Sequence, residues 1–393
     1  MLKNRNLFII ALIALVNMLG YGIVIPILYA YSKQFGLSDF QNGLLFASFS
    51  VCQFIATPII GRFSDKYGRR PLLLISIIGT ALSFIVMAFA QNAWWLFAAR
   101  ILDGITAGNI PVAFAVISDS TEPKDRARAF GLIGSAFSFG FVFGPAISAF
   151  TVGFGTGVPF LIAAAITIIA VVLTALFLPE TNKHMGEVQE GKLFDFPKLF
   201  KTLFDPNVGA TFAISLIFFL AFACAIIYGF QPFTLKVLGI TASQNAILFT
   251  VFGAVGLISQ NFIVHRFSKA LGVKKAFSLG IVFTSFAMFV MFLSRSIPLF
   301  VGASILMGIC NSIVQTLIPT ILSQEADPRS QGSIMGLNAS YQSIGMIIGP
   351  ILGGVIATVS IPLPFLVGSV LILSCVFFAR KIMRPGIHQE HAF

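Results

Sequence analysis

Twelve apolar runs, each long enough to cross roughly 30 Å of hydrocarbon at about 1.5 Å per residue, decide what this chain can become. They lie near 7–31, 41–61, 71–90, 95–117, 129–150, 158–178, 208–232, 243–264, 275–294, 298–321, 332–358 and 361–380. They predict an all-α integral membrane protein of twelve transmembrane helices, with short connections and one polar stretch of 29 residues, Pro179 to Asn207. Composition supports lipid as the solvent, because 57% of the residues are apolar and only 10% charged, whereas a soluble domain carries roughly a quarter. A net charge of +11 would suggest nucleic acid only on a broad solvated face, which this composition lacks, so no nucleic-acid partner is expected. The first run follows Lys3 and Arg5 as a signal peptide would, but it is long, contains Gly and Pro, and has no evident small-residue cleavage site. It is read as the first span.

Several enzyme classes lack their minimum residues. Cys52, Cys224, Cys310 and Cys375 are widely spaced within apolar runs, which leaves neither a disulfide framework nor a CxxC metal site. His184, His265, His388 and His391 fall in polar connections or the C-terminal tail, so no intramembrane imidazole is present for metal or general-base chemistry. Neither GxSxG nor GxxxxGK[ST] occurs, which removes the serine-hydrolase elbow and the phosphate-cradling loop. The chain is expected to be no enzyme, to carry no metal or cofactor, and to draw no energy from ATP.

The basic residues set an expected orientation. Lys3, Arg5, Arg62, Lys66, Arg69, Arg70, Lys124, Arg126, Arg128, Lys183, Lys192, Lys198, Lys201, Arg266, Lys269, Lys274, Lys275, Arg329, Arg380, Lys381 and Arg384 mark the termini and alternate loops. The opposite side holds only Lys33, Lys236 and Arg295. Positive charge stays in the cytoplasm, so both termini of a multi-pass inner (plasma) membrane protein are expected there. One base remains, Arg100, and Asp103 is the one acid inside a run.

The chain also matches itself at an offset near 204. Arg62, Phe63, Ser64 and Gly68 align with Arg266, Phe267, Ser268 and Gly272; Gln41 and Asn42 align with Gln244 and Asn245. Gly131, Leu132, Gly140, Gly144 and Pro145 align with Gly336, Leu337, Gly345, Gly349 and Pro350. This order implies two parallel six-helix repeats: an N-terminal bundle over 1–178, a cytoplasmic linker over 179–207, and a C-terminal bundle with a short tail over 208–393. Such repeats suit alternating access around a site near the midplane.

Three segments carry a family resemblance. GRFSDKYGRRP, from Gly61 to Pro71, resembles the loop signature of the major facilitator superfamily, commonly written GxxxDxxGRR. RILDGITAGNIP, from Arg100 to Pro111, is similar to the fourth-span motif with its RxxxGxxxG spacing, and GSAFSFGFVFGP resembles the fifth-span motif of drug/proton antiporters, including tetracycline-type and multidrug efflux proteins. Two departures stand out. Ser148 and Ala149 replace the paired glycines of GPxxGG, although Gly353 and Gly354 keep them in the second half, and Asn17 stands where similar proteins often have an acid before LGxGxxxP.

The resemblance implies a major facilitator fold and a gating latch made by Gly61, Asp65, Gly68, Arg69, Asp119, Gly144 and Pro145. Asp65 would brace the start of span eleven near Gly332, Arg69 would pair with Asp119 at the foot of span four, and Gly144 and Pro145 would seal the interface against proton leak. The alternative for the loop charges is that they only fix topology. Physics adds a second site. Arg100 and Asp103, three residues apart, share a helix face, and counting from Trp95 puts Asp103 about 12 Å below the outer surface. A charge there costs about 3 kcal/mol and marks an ion or substrate path. Desolvation and the guanidinium act oppositely on its proton affinity, so a conformational change could load or release a proton. A static ion pair is the competing reading.

Amides and phenols recur at membrane depth: Asn17, Tyr21, Gln53, Asn109, Tyr228, Gln231, Asn311, Gln315, Asn338, Tyr341 and Gln342. They suit a neutral pocket for an amphiphilic small molecule, or they hydrogen-bond helix to helix. The expectation is a proton-coupled antiporter, powered by the proton gradient, that exports small hydrophobic compounds. Its partners would be a small-molecule substrate, protons and membrane lipid, and it would work as a monomer. A proton-coupled importer or facilitator of a neutral metabolite such as a sugar, and a transporter-like membrane sensor, are the alternatives.

Overall fold

The computed structural model describes residues 2–122, 125–182, 186, 195–326 and 330–382, with the side chains of 2–5, 127 and 128 left aside. Lys3, Arg5, Lys124, Arg128, Lys183, Lys192, Arg329, Arg384, His184, His388 and His391, which contributed to the charge and histidine arguments, therefore lie outside the described residues or side chains. The described chain is helical: α1 (Leu2–Val24), α2 (Leu28–Lys33), α3 (Asp39–Tyr67), α4 (Arg69–Ala88), α5 (Ala93–Thr106), α6 (Ile110–Ser120), α7 (Arg126–Thr151), α8 (Val158–Phe177) and α9 (Phe196–Thr202). The series continues with α10 (Gly209–Phe222), α11 (Phe230–Lys236), α12 (Ala242–Ile258), α13 (Val264–Leu271), α14 (Val273–Leu293), α15 (Ile297–Glu325), α16 (Gln331–Val359) and α17 (Leu363–Ile382). Among the described residues, 12 helical segments are long and apolar enough to cross a membrane.

Four spans depart from simple rods, the eighth because α12 passes into α13 through a π-helical turn, Ser259–Ile263. The first does not run from 7 to 31: α1 stops at Val24, and α2 restarts at Leu28, because Pro26 has no N–H to donate. The fourth is broken between α5 and α6. The seventh joins α10 to α11 through a π-helical turn, Ala223–Gly229.

The helices form two compact units. One comprises Met1–Ser38, Ser48–Leu193 and Ile240–Thr250, the other Asp39–Ala47, Phe194–Gly239 and Val251–Phe393. Within the first, α1 packs most extensively on α7, and α4 on α8. Within the second, α10 and the π turn pack on α16, and α14 packs on α15 and α17. The contacts repeat with the sequence. A Cβ at Gly144 would lie 2.7 Å from the Leu19 carbonyl and 2.8 Å from Gly22 Cα, and one at Gly349 would lie 2.6 Å from the Leu220 carbonyl. Hydrocarbon supplies no hydrophobic pull between helices, so association depends on such close backbone approach.

The first unit closes over a dry cluster in which Ile10, Ile13, Ala14, Leu73, Ile77, Val112, Val116 and Ile117 are almost wholly buried. One test follows from the glycine seams. Gly144→Ala overpacks α1 against α7 and is expected to cost about 1–3 kcal/mol, read as a lowered Tm in detergent. Gly131→Ala, where a Cβ meets nothing within 4 Å, should leave the Tm unchanged or raise it slightly.

Candidate functional site

The buried charges of the first unit come from α5. Arg100 Nη1 lies 3.3 Å from Asp103 Oδ2, with Arg100 1% and Asp103 7% exposed. Taking two charges out of water costs several kcal/mol per ion, and the pair persists because each compensates the other. The guanidinium also sits 4.3 Å from the centroid of the Phe49 ring on α3, a cation–π contact worth about 2 kcal/mol when desolvated. Tyr21 of α1 approaches the same ring, centroid to centroid 6.2 Å. Three helices of one unit thus converge on a single ion pair.

The helix breaks just beyond it. The Ala107 N–H donates to the Asp103 carbonyl at 2.7 Å, and α6 begins at Ile110 with Pro111 in its first turn. Gly108 lets the break press on α3, since a Cβ there would lie 3.0 Å from Thr57 Cα. Asn109, fully buried, accepts from Asn17 Nδ2 at 2.9 Å. Among the described residues, Arg100 Nε and Asn109 Nδ2 have no acceptor. Unpaired buried donors are costly, so an acceptor that reached either atom would relieve that cost.

The loop signature forms a second cluster. Gly68, at φ +102°, separates α3 from α4. The Arg69 guanidinium meets Asp65 and donates to Ser64 Oγ at 2.7 Å, and its Nε lies 3.3 Å from Asp119 Oδ2 at the foot of α6. This is the Arg69–Asp119 pairing that the resemblance implies. Gly61 lies inside α3 with open space at its Cβ position, and Gly144 and Pro145 face α1, with Pro145 Cδ 2.9 Å from where a Gly22 Cβ would stand.

In the second unit the polar residues tie elements together. The Tyr228 hydroxyl donates to the Asp39 carbonyl at 2.8 Å, and its ring meets Phe46 edge-on at 6.0 Å. Ser215 Oγ donates to Asn338 Oδ1 at 2.7 Å, joining α10 to α16. The Tyr341 hydroxyl bonds the Leu199 carbonyl and Thr202 Oγ1 of α9. Gln315 Nε2 donates to Asn311 Oδ1 one turn away at 3.2 Å. Gln231 is fully buried, whereas Gln53, in the first unit, and Gln342 are half-buried. The candidate pocket residues thus separate: Tyr21 shares the Phe49 ring with Arg100 and Asn17 meets Asn109 at the break just beyond α5, while Tyr228, Asn338 and Tyr341 hold helices or the linker.

Sequence reasoning missed several partners. Phe49, one phenylalanine among 44, has no local signal. Glu180 Oε1 and Oε2 accept the Arg69 and Arg70 N–H groups at 2.9 and 3.1 Å, placing a carboxylate at the positive N-terminus of α4. Lys236 pairs with Asp39 at 3.1 Å. Thr211 Oγ1 donates to Glu325 at 2.8 Å, so a carboxylate does stand at the end of the tenth span. The run 298–321 stopped short of it.

Duplicated bundles of membrane-crossing helices, with a charge pair sunk in one of them, define a transporter rather than an enzyme. The chain belongs to the Major Facilitator Superfamily, whose pattern matches residues 10–269 and 213–392. It is 30% identical over 367 residues to multidrug resistance protein 1 of Bacillus subtilis (strain 168), covering 92% of each chain. It is 30% identical over 372 residues to the class B tetracycline resistance protein of Escherichia coli, covering 92% of this chain and 90% of that one. The crystal structure of the human organic anion transporter MFSD10 shares the fold, with a TM-score of 0.69 and 21% identity over 96% of this chain and 99% of that one.

The ion pair makes a stability prediction. Arg100→Ala strands a buried carboxylate and should cost about 3–5 kcal/mol. Arg100→Gln combined with Asp103→Asn removes both charges and should cost less than Arg100→Ala, measured as Tm in detergent. Equal losses would mean the pair carries no mutual compensation.

Proposed function

We propose that the protein exports small hydrophobic or amphiphilic drug-like compounds across a bacterial-type inner (plasma) membrane in exchange for protons, by alternating access. The buried Arg100–Asp103 pair carries this reading, because a carboxylate shielded from water and held by one guanidinium can change protonation when that contact changes. The names of the multidrug and tetracycline resistance relatives support the substrate class. Asn17, Tyr21 and Asn109 lie on the elements around the pair, and the unpaired Asn109 Nδ2 and Arg100 Nε are donors for a carbonyl or phenol of such a compound. The Gly61–Pro71 segment acts as the conformational latch through Asp65 and the Arg69–Asp119 pair, and Gly144 and Pro145 keep the α1–α7 seam tight enough to exclude water.

Both termini are assigned to the cytoplasm on the distribution of Lys and Arg. The six-span repeats 1–178 and 208–393, joined by 179–207, are the moving bodies. The working form is a monomer, and the proton gradient supplies the energy without a bound cofactor.

Proteoliposomes under an imposed pH gradient test the coupling. Wild-type protein should accumulate labelled tetracycline or a lipophilic dye against its gradient. Asp103→Asn should abolish that accumulation, yet retain folding and gradient-free counterflow. Unchanged proton-driven accumulation by the variant would remove Asp103 as the carrier. A second measurement addresses the latch: Asp65→Asn should lower exchange by about tenfold or more, since each ~1.4 kcal/mol shift between states is a factor of 10. Wild-type exchange by that variant would reduce the loop charges to topology signals.

A further inference from the structure

The short helix α9 presents two faces of opposite character. Phe196 and Phe200 lie one turn apart on α9, and Phe204, two residues beyond its end, continues the stripe by bringing its ring against Phe200. They are 59%, 69% and 72% exposed, and the rings of Phe200 and Phe204 meet at a tilt of 60° with centroids 5.2 Å apart. Lys198, Leu199 and Thr202 lie around the other side and meet α16. Lys198 Nζ donates to Ser333 Oγ at 2.9 Å, and Thr202 Oγ1 and the Leu199 carbonyl engage the Tyr341 hydroxyl. Tyr341 itself is 1% exposed and packs on Phe212 at 4.9 Å.

The placement of α9 is fixed by its flanks. Asp195 Oδ1 accepts the Lys198 N–H at 3.0 Å and caps its start. Asp205 Oδ1 accepts the N–H groups of Asn207 and Val208 at 2.9 and 3.2 Å. Gly209, the first residue of α10, comes so close that a Cβ there would lie 2.4 Å from the Leu203 carbonyl. The end of the stripe is therefore held within a few residues of Gly209, where the seventh membrane-crossing segment begins. Water is a poor environment for three exposed phenyl rings so close together, whereas phenyl rings beside exposed lysines such as Lys201 suit the boundary between headgroups and acyl chains.

We infer that α9 is an interfacial anchor: Phe196, Phe200 and Phe204 insert into the adjoining leaflet, while Tyr341 and Ser333 hold the opposite face of α9 to α16. The linker and span eleven then form one body whose depth is set by lipid. Tyr341 acts as the fastening of this anchor instead of a substrate contact.

Nitroxide labelling of Phe200→Cys and, separately, Phe204→Cys in phosphatidylcholine–phosphatidylglycerol liposomes tests the inference, with the labelled parent chain giving the background of its four native cysteines. Collisions with oxygen should exceed those with a water-soluble nickel chelate several-fold at both positions. A label at Lys201→Cys should see relatively more chelate. Chelate collisions dominating at 200 and 204 would place the stripe in water and overturn the inference. Low collision rates with both reagents would show the stripe covered by the protein and overturn it as well. Two positions are used so that a misfolded variant at one leaves the other decisive. Tyr341→Phe should raise label mobility at 204, an effect that substrate contact by Tyr341 would not produce.

Discussion

Hydrocarbon offers no partner for a polar group, and each irregular feature of this structure answers to that constraint. A backbone N–H left open in lipid costs several kcal/mol, so a break in a spanning helix survives only where protein surrounds it. The interruption at Ala107–Asn109 is such a place. Asn109 is fully buried, Asn17 reaches its side chain, and Gly108 admits the backbone of α3 at close range. The break directly follows Arg100 and Asp103, so a charge pair and a discontinuous helix share one turn.

The duplication shows which features belong to the scaffold and which to the mechanism. Gly68 and Gly272 both adopt positive φ, +102° and +81°, between consecutive spans, and the Gly144 and Gly349 seams are built alike. These repeated elements are the architecture. The α5 ion pair has no counterpart in the sequence of the second half, where the positions 204 and 205 residues on from Arg100 and Asp103 hold uncharged residues. The charge pair is thus an asymmetry imposed on a repeated scaffold.

Much of this was legible in the sequence. Twelve runs, the repeat and the isolated Arg100–Asp103 pair follow from hydropathy and spacing, because lipid forces a period and a length on every span. Helix breaks were less legible. Pro26 ended α1 earlier than the apolar run suggested, and the GNIP segment carried both signals of the α5–α6 break, yet its hydropathy reads as continuous. Partners distant in sequence were not legible at all. Phe49 under Arg100 and Glu180 on α4 are set by how helices pack, which no local pattern encodes.

The intramembrane amides show why composition alone cannot separate a pocket from glue. Asn and Tyr look alike in both roles until their partners are known. The side-chain oxygens of Asn338 and Tyr341 are already engaged in tying elements together, by Ser215 Oγ and the Leu199 carbonyl. Asn109 differs, because one amide face is engaged by Asn17 while its Nδ2 stays unpaired in a buried position. Arg100 follows the same pattern, with one nitrogen on Asp103 and Nε unpaired. A group half-satisfied by the protein is held in place by one bond and made receptive by the missing one. Any acceptor that satisfied Arg100 Nε would also touch the guanidinium that is paired with Asp103.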